Sequence, residues 1–363
     1  MFEYLVYERI FFLSVIIILF TLLLINNSKN LRIEIFLDNN FKKPQSFHTR
    51  SVLNIGGIII LFYFILAFFF FEPNILPFKS VNFFVLDSIY SLLKDLIIGL
   101  TIVFSFSVLE DLKINLNPIK RFLIQFILIF LIVITLDVKV YSIQFYTLDK
   151  LLNNNEIISF IFTSLCILFI LNGANFLDGF NGLLAIHSII ITFCIIVLNA
   201  IYQNIGLLVV SYLFLLILSI FLFFNFPVAK IFLGNSGSNL VGFTICFLIL
   251  KTSNLTQYHK VYPFFFANLL YLIFFEVFFS FFRKLVYEKK NPFLPDKKHL
   301  HMLLFKKCKS HYKTSLTLNG FFLISLLPLI MFYSLPGFLK IYFFILIILY
   351  LVFYFILLRN YKD

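Results

Sequence analysis

The chain has 363 residues, of which 61% are apolar and 13% charged, with a formal net charge of +12. A soluble globular chain carries about 25% charged residues, so this composition, with a mean hydropathy of +1.02, excludes a water-soluble enzyme, a disordered tail protein and a secreted disulfide scaffold. At about 20 apolar residues per crossing, the apolar content fills about eleven membrane spans.

In chain order, apolar runs bounded by polar breaks predict spans near 6–26, 52–71, 90–109, 120–136, 157–172, 183–202, 205–226, 237–251, 262–283, 315–334 and 338–358. The fourth, fifth and eighth are short for a crossing. The expected fold is therefore an all-α polytopic integral membrane protein of about eleven transmembrane helices, a single domain over 1–363. Glu3 and Glu8 replace a basic n-region, so the first run reads as a retained span rather than a cleaved signal. If that span ends inside the cell, 21 of the 29 Lys and Arg residues fall in inner segments. By the positive-inside rule this puts the N-terminus outside and the C-terminus in the cytoplasm.

The remaining composition has plain readings. Phe occurs 55 times and Trp not at all, as an AT-rich coding sequence would produce. Tyr4, Tyr7, Tyr141, Tyr146, Tyr202, Tyr258 and Tyr262 then serve the interfacial belts. Cys166, Cys194, Cys246 and Cys308 lack CxxC spacing, so neither disulfides nor a metal site is indicated. The basic residues lie in loops at a membrane surface, which argues against nucleic acid as a partner. Function is expected in inner loops near 27–51, 110–119, 173–182, 227–236 and 284–314.

Four segments carry polar residues that packing alone does not explain. Glu110 and Asp111 close the third span, where two carboxylates meet the negative end of the helix dipole and serve poorly as caps. They read either as a solvated loop edge or as a pair that binds a divalent cation or deprotonates a substrate. After them, Asn117-Pro118 is a helix start, with Lys120 in the first turn. Next, Asn172, Asn175, Asp178 and Asn181 recur every third residue among three glycines. Polar groups beside a bilayer are expensive and tend to line a site.

Phe232 to Asn239, with Gly234, Asn235, Ser236 and Gly237, forms a Gly/Ser turn opening the eighth span, whose backbone N–H groups suit a phosphate. Finally, Asn291 to His301 holds Lys297, Lys298, His299 and His301. This stretch reads as a phosphate-binding cluster or as a basic patch for anionic lipid. Together the four segments fit phosphoryl transfer between a soluble nucleotide donor and a lipid phosphate.

At these residues the chain resembles the polyprenyl-phosphate N-acetylhexosamine-1-phosphate transferases, glycosyltransferase family 4. Phe47-His48 with Ile55-Gly56-Gly57 resembles the family's FH…GG segment, and Glu110-Asp111…Lys120 its Asp-Asp…Lys loop. Asn172–Gly182 resembles NxxNxxDGxxGL, Phe232–Ser238 resembles FxGDxGS, and Pro292–His301 resembles PFxxDxxHxH. The HxH ending is nearer to the branch that initiates envelope glycans than to the peptidoglycan translocase.

The resemblance implies transfer of a sugar-1-phosphate from a UDP-sugar to undecaprenyl phosphate, with release of UMP, at the cytoplasmic face of a bacterial plasma membrane. It implies Mg²⁺ (or Mn²⁺) as cofactor, at Asn175 and Asn235. Glu110, Asp111, Lys120 and Asp178 take the catalytic positions. His48, Asn172, Asn181, Phe232, Ser236, His299 and His301 take the substrate-binding ones, with Asn181 and Phe232 flanking the uracil. Membrane lipids and a second copy in a homodimer complete the implied partners.

Two departures stand out. Asn235 replaces the metal-binding Asp of FxGDxGS, and Glu110 replaces the first Asp of the pair. Either Glu110 reaches in to compensate or the chain is a weakened relative. Glu276, seven residues before Arg283, reads as its structural partner. The alternative function is a non-catalytic protein that binds or transports lipid-linked intermediates.

Overall fold

The computed structural model of the chain describes residues 2–28, 36–38, 52–73, 83–112, 117–254, 262–292 and 296–359. His48, Phe47, Tyr258 and Lys113 lie outside the described residues. In hydrocarbon a backbone has no water to bond, so each apolar run must satisfy its own N–H and C=O groups, and helix is the local solution. All eleven runs become helices: α1 (Phe2–Asn26), α2 (Gly56–Phe70), α3 (Phe83–Asp111), α4 (Pro118–Thr135), α6 (Glu156–Leu177), α7 (Leu183–Ile201), α8 (Ile205–Asn225), α9 (Gly234–Asn254), α10 (Pro263–Phe282), α12 (His311–Met331) and α13 (Pro336–Arg359).

Among the described residues, nine helices are long and apolar enough to cross a membrane, rather than eleven. α2 has only 15 residues. α9 has 21 residues but is not among the nine, because Asn235, Ser236, Ser238 and Asn239 lower the apolarity of its first turns. Hydropathy understates α9 because it is the central helix. It packs against α2, α3, α6, α7 and α8, and almost every side chain from Ser236 to Leu250 is buried.

The architecture is also not purely helical. β1 (Leu37–Asp38), β2 (Val52–Asn54) and β3 (Ile231–Phe232) form one small sheet in that order. β1 runs antiparallel to β2, and β2 runs parallel to β3 with Leu53 opposite Ile231 and Asn54 opposite Phe232. Two short helices occupy segments that hydropathy gives to loops, α5 (Tyr146–Asn154) and α11 (Leu300–Cys308). A π-helical turn, Arg283–Tyr287, prolongs α10. Asn117 caps α4 as its sequence predicts, its side chain accepting from the Ile119 N–H at 3.1 Å with Pro118 next in line.

The paired glycines of α2 fix how closely it meets α9. The Gly57 N–H donates to the Leu233 carbonyl at 3.2 Å. A Cβ on Gly57 would sit 2.4 Å from Ser236 Oγ and 2.7 Å from the Gly237 nitrogen. Small residues at a helix contact let backbones approach in this way. We therefore expect Gly57→Ala to separate α2 from the start of α9 and cost about 1–3 kcal/mol, seen as a lower unfolding temperature in detergent. Gly320→Ala, in α12 with nothing within 4 Å of its added methyl, is the matched control and should be neutral or slightly stabilising.

Candidate active site

The C-terminal ends of α3, α6, α8 and α10 meet the N-terminal ends of α4, α7, α9 and α12 at one end of the bundle. The junction of α3 with α9 is the best-defined part. Asp111, the last residue of α3, is buried. Its Oδ1 accepts from the Asn235 N–H at 2.8 Å and from Asn235 Nδ2 at 3.2 Å. Its Oδ2 accepts from the Ser236 N–H at 2.9 Å and from Ser236 Oγ at 2.5 Å. The first N–H groups of a helix have no partner within it, and Asp111 from another helix supplies one. Gly234 makes this possible: its φ is +71°, and its Cα lies so close that an added Cβ would stand 3.0 Å from the carboxylate. The expectation of a free phosphate cradle at this turn is thus corrected, since a protein carboxylate already occupies those donors.

Glu110 turns the other way. Its Oε1 lies 2.8 Å from Arg121 Nε in α4. Lys120, the basic residue singled out in the sequence, is exposed and makes no ion pair among the described residues. Arg121, one position on, holds the acid. The longer side chain at 110 therefore bridges to α4, and among the described residues no hydrogen bond or ion pair links it to Asn235.

The turn between α6 and α7 comes next. Asn175 Nδ2 donates to Asn235 Oδ1 at 3.1 Å, so the two amides expected at a cation bond to each other. Asn172 donates to the Leu168 carbonyl of its own helix, and Asn181 Nδ2 reaches the Pro227 carbonyl at 3.0 Å. The three-residue spacing therefore distributes these polar groups to three different jobs. Asp178 caps the end of α6 and is half-buried. Burial pushes its carboxyl well above the ordinary value, and the nearby Asp111 pushes the same way.

The histidines approach this turn from the other side. Glu276 of α10 accepts the Leu300 N–H at 3.1 Å and faces His299 Nδ1 at 3.2 Å and His301 Nδ1 at 3.7 Å. The two rings stack 5.5 Å apart. Phe176 lies against His299 and Phe180 against His301, and Gly179 faces His301 Nε2. Burial holds His301 below its ordinary pKa although Glu276 acts against it. Glu276 is thus the partner of the histidine pair and not of Arg283. Arg283 instead meets Glu288 at 2.5 Å and Asp296 at 2.6 Å, while Lys298 joins Glu288 at 3.2 Å. Burial raises the Asp296 carboxyl, but His299, Arg283 and Lys284 outweigh it and hold it below the usual range. Of the expected positive cluster, Lys298, His299 and His301 therefore all face carboxylates of the protein itself.

These contacts bring Asp111, Asn175, Asp178, Asn235, Ser236, His299 and His301 together. Phe232 lies next to them on β3, paired with Asn54. Asn172 and Lys120 make no hydrogen bond or ion pair with this group among the described residues. Among the same residues, no group of three or more His, Cys, Asp or Glu could hold a metal ion. Mg²⁺ seeks one or two carboxylates in near-octahedral geometry. Here both expected donors are neutral amides, Asn235 Oδ1 already accepts from Asn175 Nδ2, and both Asp111 oxygens accept from α9. The expected donor set does not fit a resident Mg²⁺.

The fold and site describe a polytopic helical membrane protein with a buried polar centre at one end of its bundle. Residues 94–253 match the family described as glycosyl transferase family 4. The chain is 36% identical over 154 residues to the undecaprenyl-phosphate alpha-N-acetylglucosaminyl 1-phosphate transferase of Thermotoga maritima, covering 42% of this chain and 45% of that one. It is 31% identical over 220 residues to a probable undecaprenyl-phosphate N-acetylglucosaminyl 1-phosphate transferase of Bacillus subtilis, covering 59% and 58%. The matches span about half the length of these relatives. They bear out the family resemblance read from the motifs.

One residue of the site escaped the sequence reading. Asn225, buried at the end of α8, accepts the Gly182 N–H at 2.6 Å and donates to the Ile231 carbonyl at 2.8 Å. It ties the Asp178 turn to β3. A single Asn before a Phe-Pro pair gave only the signal of a helix end. Asn225→Ala leaves two buried backbone groups unpaired, at about 1–3 kcal/mol each. Thermal unfolding in detergent should register that loss, whereas Ser219→Ala, on the exposed face of the same helix, should leave it unchanged.

Proposed function

We propose that this protein transfers a sugar-1-phosphate from a UDP-sugar to undecaprenyl phosphate, with UMP as the second product. The observation that supports it is the placement of the Asp178 turn between the Asp111–Asn235–Asn175 chain of hydrogen bonds and the His299–His301 pair. Two relatives with matching segments carry the names of such transferases. In this reading the site faces the cytoplasm across a bacterial plasma membrane, as the excess of Lys and Arg in the inner segments implies.

The reaction joins an oxygen of the lipid phosphate to the β-phosphorus of the donor and breaks the bond from that phosphorus to the oxygen leaving with UMP. Phosphoryl transfer of this kind asks the protein chiefly for positioning and charge stabilisation. Asp111 is no free base, since four donors hold its two oxygens, so it acts as a positioning residue. Asp178 makes no side-chain hydrogen bond among the described residues and is the carboxylate left to take a proton from the incoming phosphate. Glu276 orients the imidazoles from behind. Glu276 faces His301 Nδ1, which leaves Nε2, without a hydrogen bond among the described residues, as the ring nitrogen for a phosphate or sugar oxygen of the donor. Asn181, bonded to Pro227 in the α8–β3 connection, and Phe232 at the end of β3 flank the uracil in this reading.

The closed state of Asn235 favours one other reading, a protein that binds lipid-linked intermediates without turnover. Membranes incubated with labelled UDP-N-acetylhexosamines and undecaprenyl phosphate distinguish the two. Formation of a lipid-linked pyrophosphoryl sugar with UMP release is expected, and its absence with every donor ends the proposal. Asp178→Asn should lower the rate by about 100-fold or more. Because the base must be ionised and its pKa is raised, the wild-type rate should climb with pH through a limb lying well above the usual carboxylate range.

A further inference from the structure

The two side chains that the family resemblance offers to a divalent cation, Asn175 and Asn235, are neutral amides bonded to each other, and Asn235 is bonded to Asp111 as well. Asn235 is held at three atoms: its N–H and Nδ2 bond Asp111 Oδ1, and its Oδ1 accepts from Asn175 Nδ2. Ser236 satisfies the remaining oxygen of Asp111. The cluster therefore contains a single carboxylate bonded by four donors, an arrangement whose charge is met without any cation.

Replacing Nδ2 of residue 235 by a second oxygen would change this. It would set a carboxylate oxygen 3.2 Å from Asp111 Oδ1, where a donor now stands. Like charges at that separation in a buried site repel strongly, and a divalent cation is one means of relieving them. A neutral amide removes the repulsion together with the need for the ion.

We infer that Asn235 is a neutral bridge that closes this site without a cation, and that a divalent ion binds the protein appreciably only together with a diphosphate. The diphosphate supplies the anionic oxygens that the side chains withhold, with Asp178 as the one nearby carboxylate that has neither a hydrogen bond nor an ion pair among the described residues. The second half of this inference rests on the transferase reading, since a nucleoside diphosphate is the ligand it requires. The first half stands on the hydrogen bonds alone.

The test uses the purified full-length protein in detergent, with Mn²⁺ binding followed by electron paramagnetic resonance and unfolding followed with and without Mg²⁺. For the wild type, Mn²⁺ should bind more weakly than ~1 mM alone and at least ~10-fold more tightly with saturating UDP, and Mg²⁺ alone should leave the unfolding temperature in place. Asn235→Asp should unfold at least ~3 °C lower in chelator, recover with Mg²⁺, and bind Mn²⁺ without nucleotide. Micromolar Mn²⁺ binding to the wild type alone overturns the inference. So does an Asn235→Asp protein whose unfolding temperature matches the wild type in chelator and ignores Mg²⁺, and UDP that leaves Mn²⁺ affinity unchanged overturns the second half. If the variant yields no folded protein in chelator, purification in Mg²⁺ followed by chelation reads the same quantity, and the wild-type titration decides independently. Failure of the transferase reading shows elsewhere, as absence of lipid-linked product from the wild type, with the unfolding comparison unaffected.

Discussion

A carboxylate at the end of one helix, bonded to the exposed N–H groups at the start of another, organises this end of the molecule. Asp111 leaves α3 where the dipole of its own helix disfavours it and enters the positive end of α9, where the same physics favours it. Hydrogen bonds to a charged group contribute about 1.5–3 kcal/mol each, and Asp111 makes four. A buried acid is expensive unless it is met in this way. Once it is met, α9 has a fixed depth and rotation relative to α3, and Asn235 is presented to Asn175 on α6. The position of the Asp178 turn follows from that chain of contacts.

The same device recurs on the other side of the site. Glu276, within α10, accepts the Leu300 N–H at the start of α11 and faces His299 and His301. An ionisable residue inside a membrane helix is costly and tends to mark a site. Here the cost is offset by a helix N-terminus and two imidazoles. Both acids thus hold the first turn of a helix that carries candidate substrate residues, Ser236 in one case and His301 in the other. Arg283 is thereby released from Glu276 to staple the basic segment through Glu288 and Asp296, so much of that segment's charge is structural.

The spans were legible because the bilayer leaves a backbone few choices, and every apolar run became a helix. What hydropathy could not rank was α9, whose polar first turns face other helices rather than lipid. The small sheet left no periodic trace, since strands of two and three residues carry no alternation to read. α11 was hidden in a charged loop because its buried face, Leu300 to Leu304, is short. At the candidate site, spacing picked out segments that meet at one end of the bundle but not the partners within them. Side-chain direction is set by tertiary packing, so Arg121 rather than Lys120 meets Glu110, and Asn225 performs a joint that its local sequence did not announce.

The two departures from the family pattern prove to be physically linked through Asp111. With Asp111 spent on α9, the neighbouring acid is free to serve another helix, and Glu110 has the reach to do so, its Oε1 lying 2.8 Å from Arg121 Nε. That leaves Asn235 bonded to Asp111, whose negative charge an amide complements and a carboxylate would oppose. The amide at 235 and the longer acid at 110 are therefore consistent with one another: each lowers the density of unpaired negative charge where α3, α4 and α9 meet. A site arranged in this way keeps its shape from hydrogen bonds between helices, so any positive charge needed by a diphosphate has to come with the ligand or from the basic side chains around it.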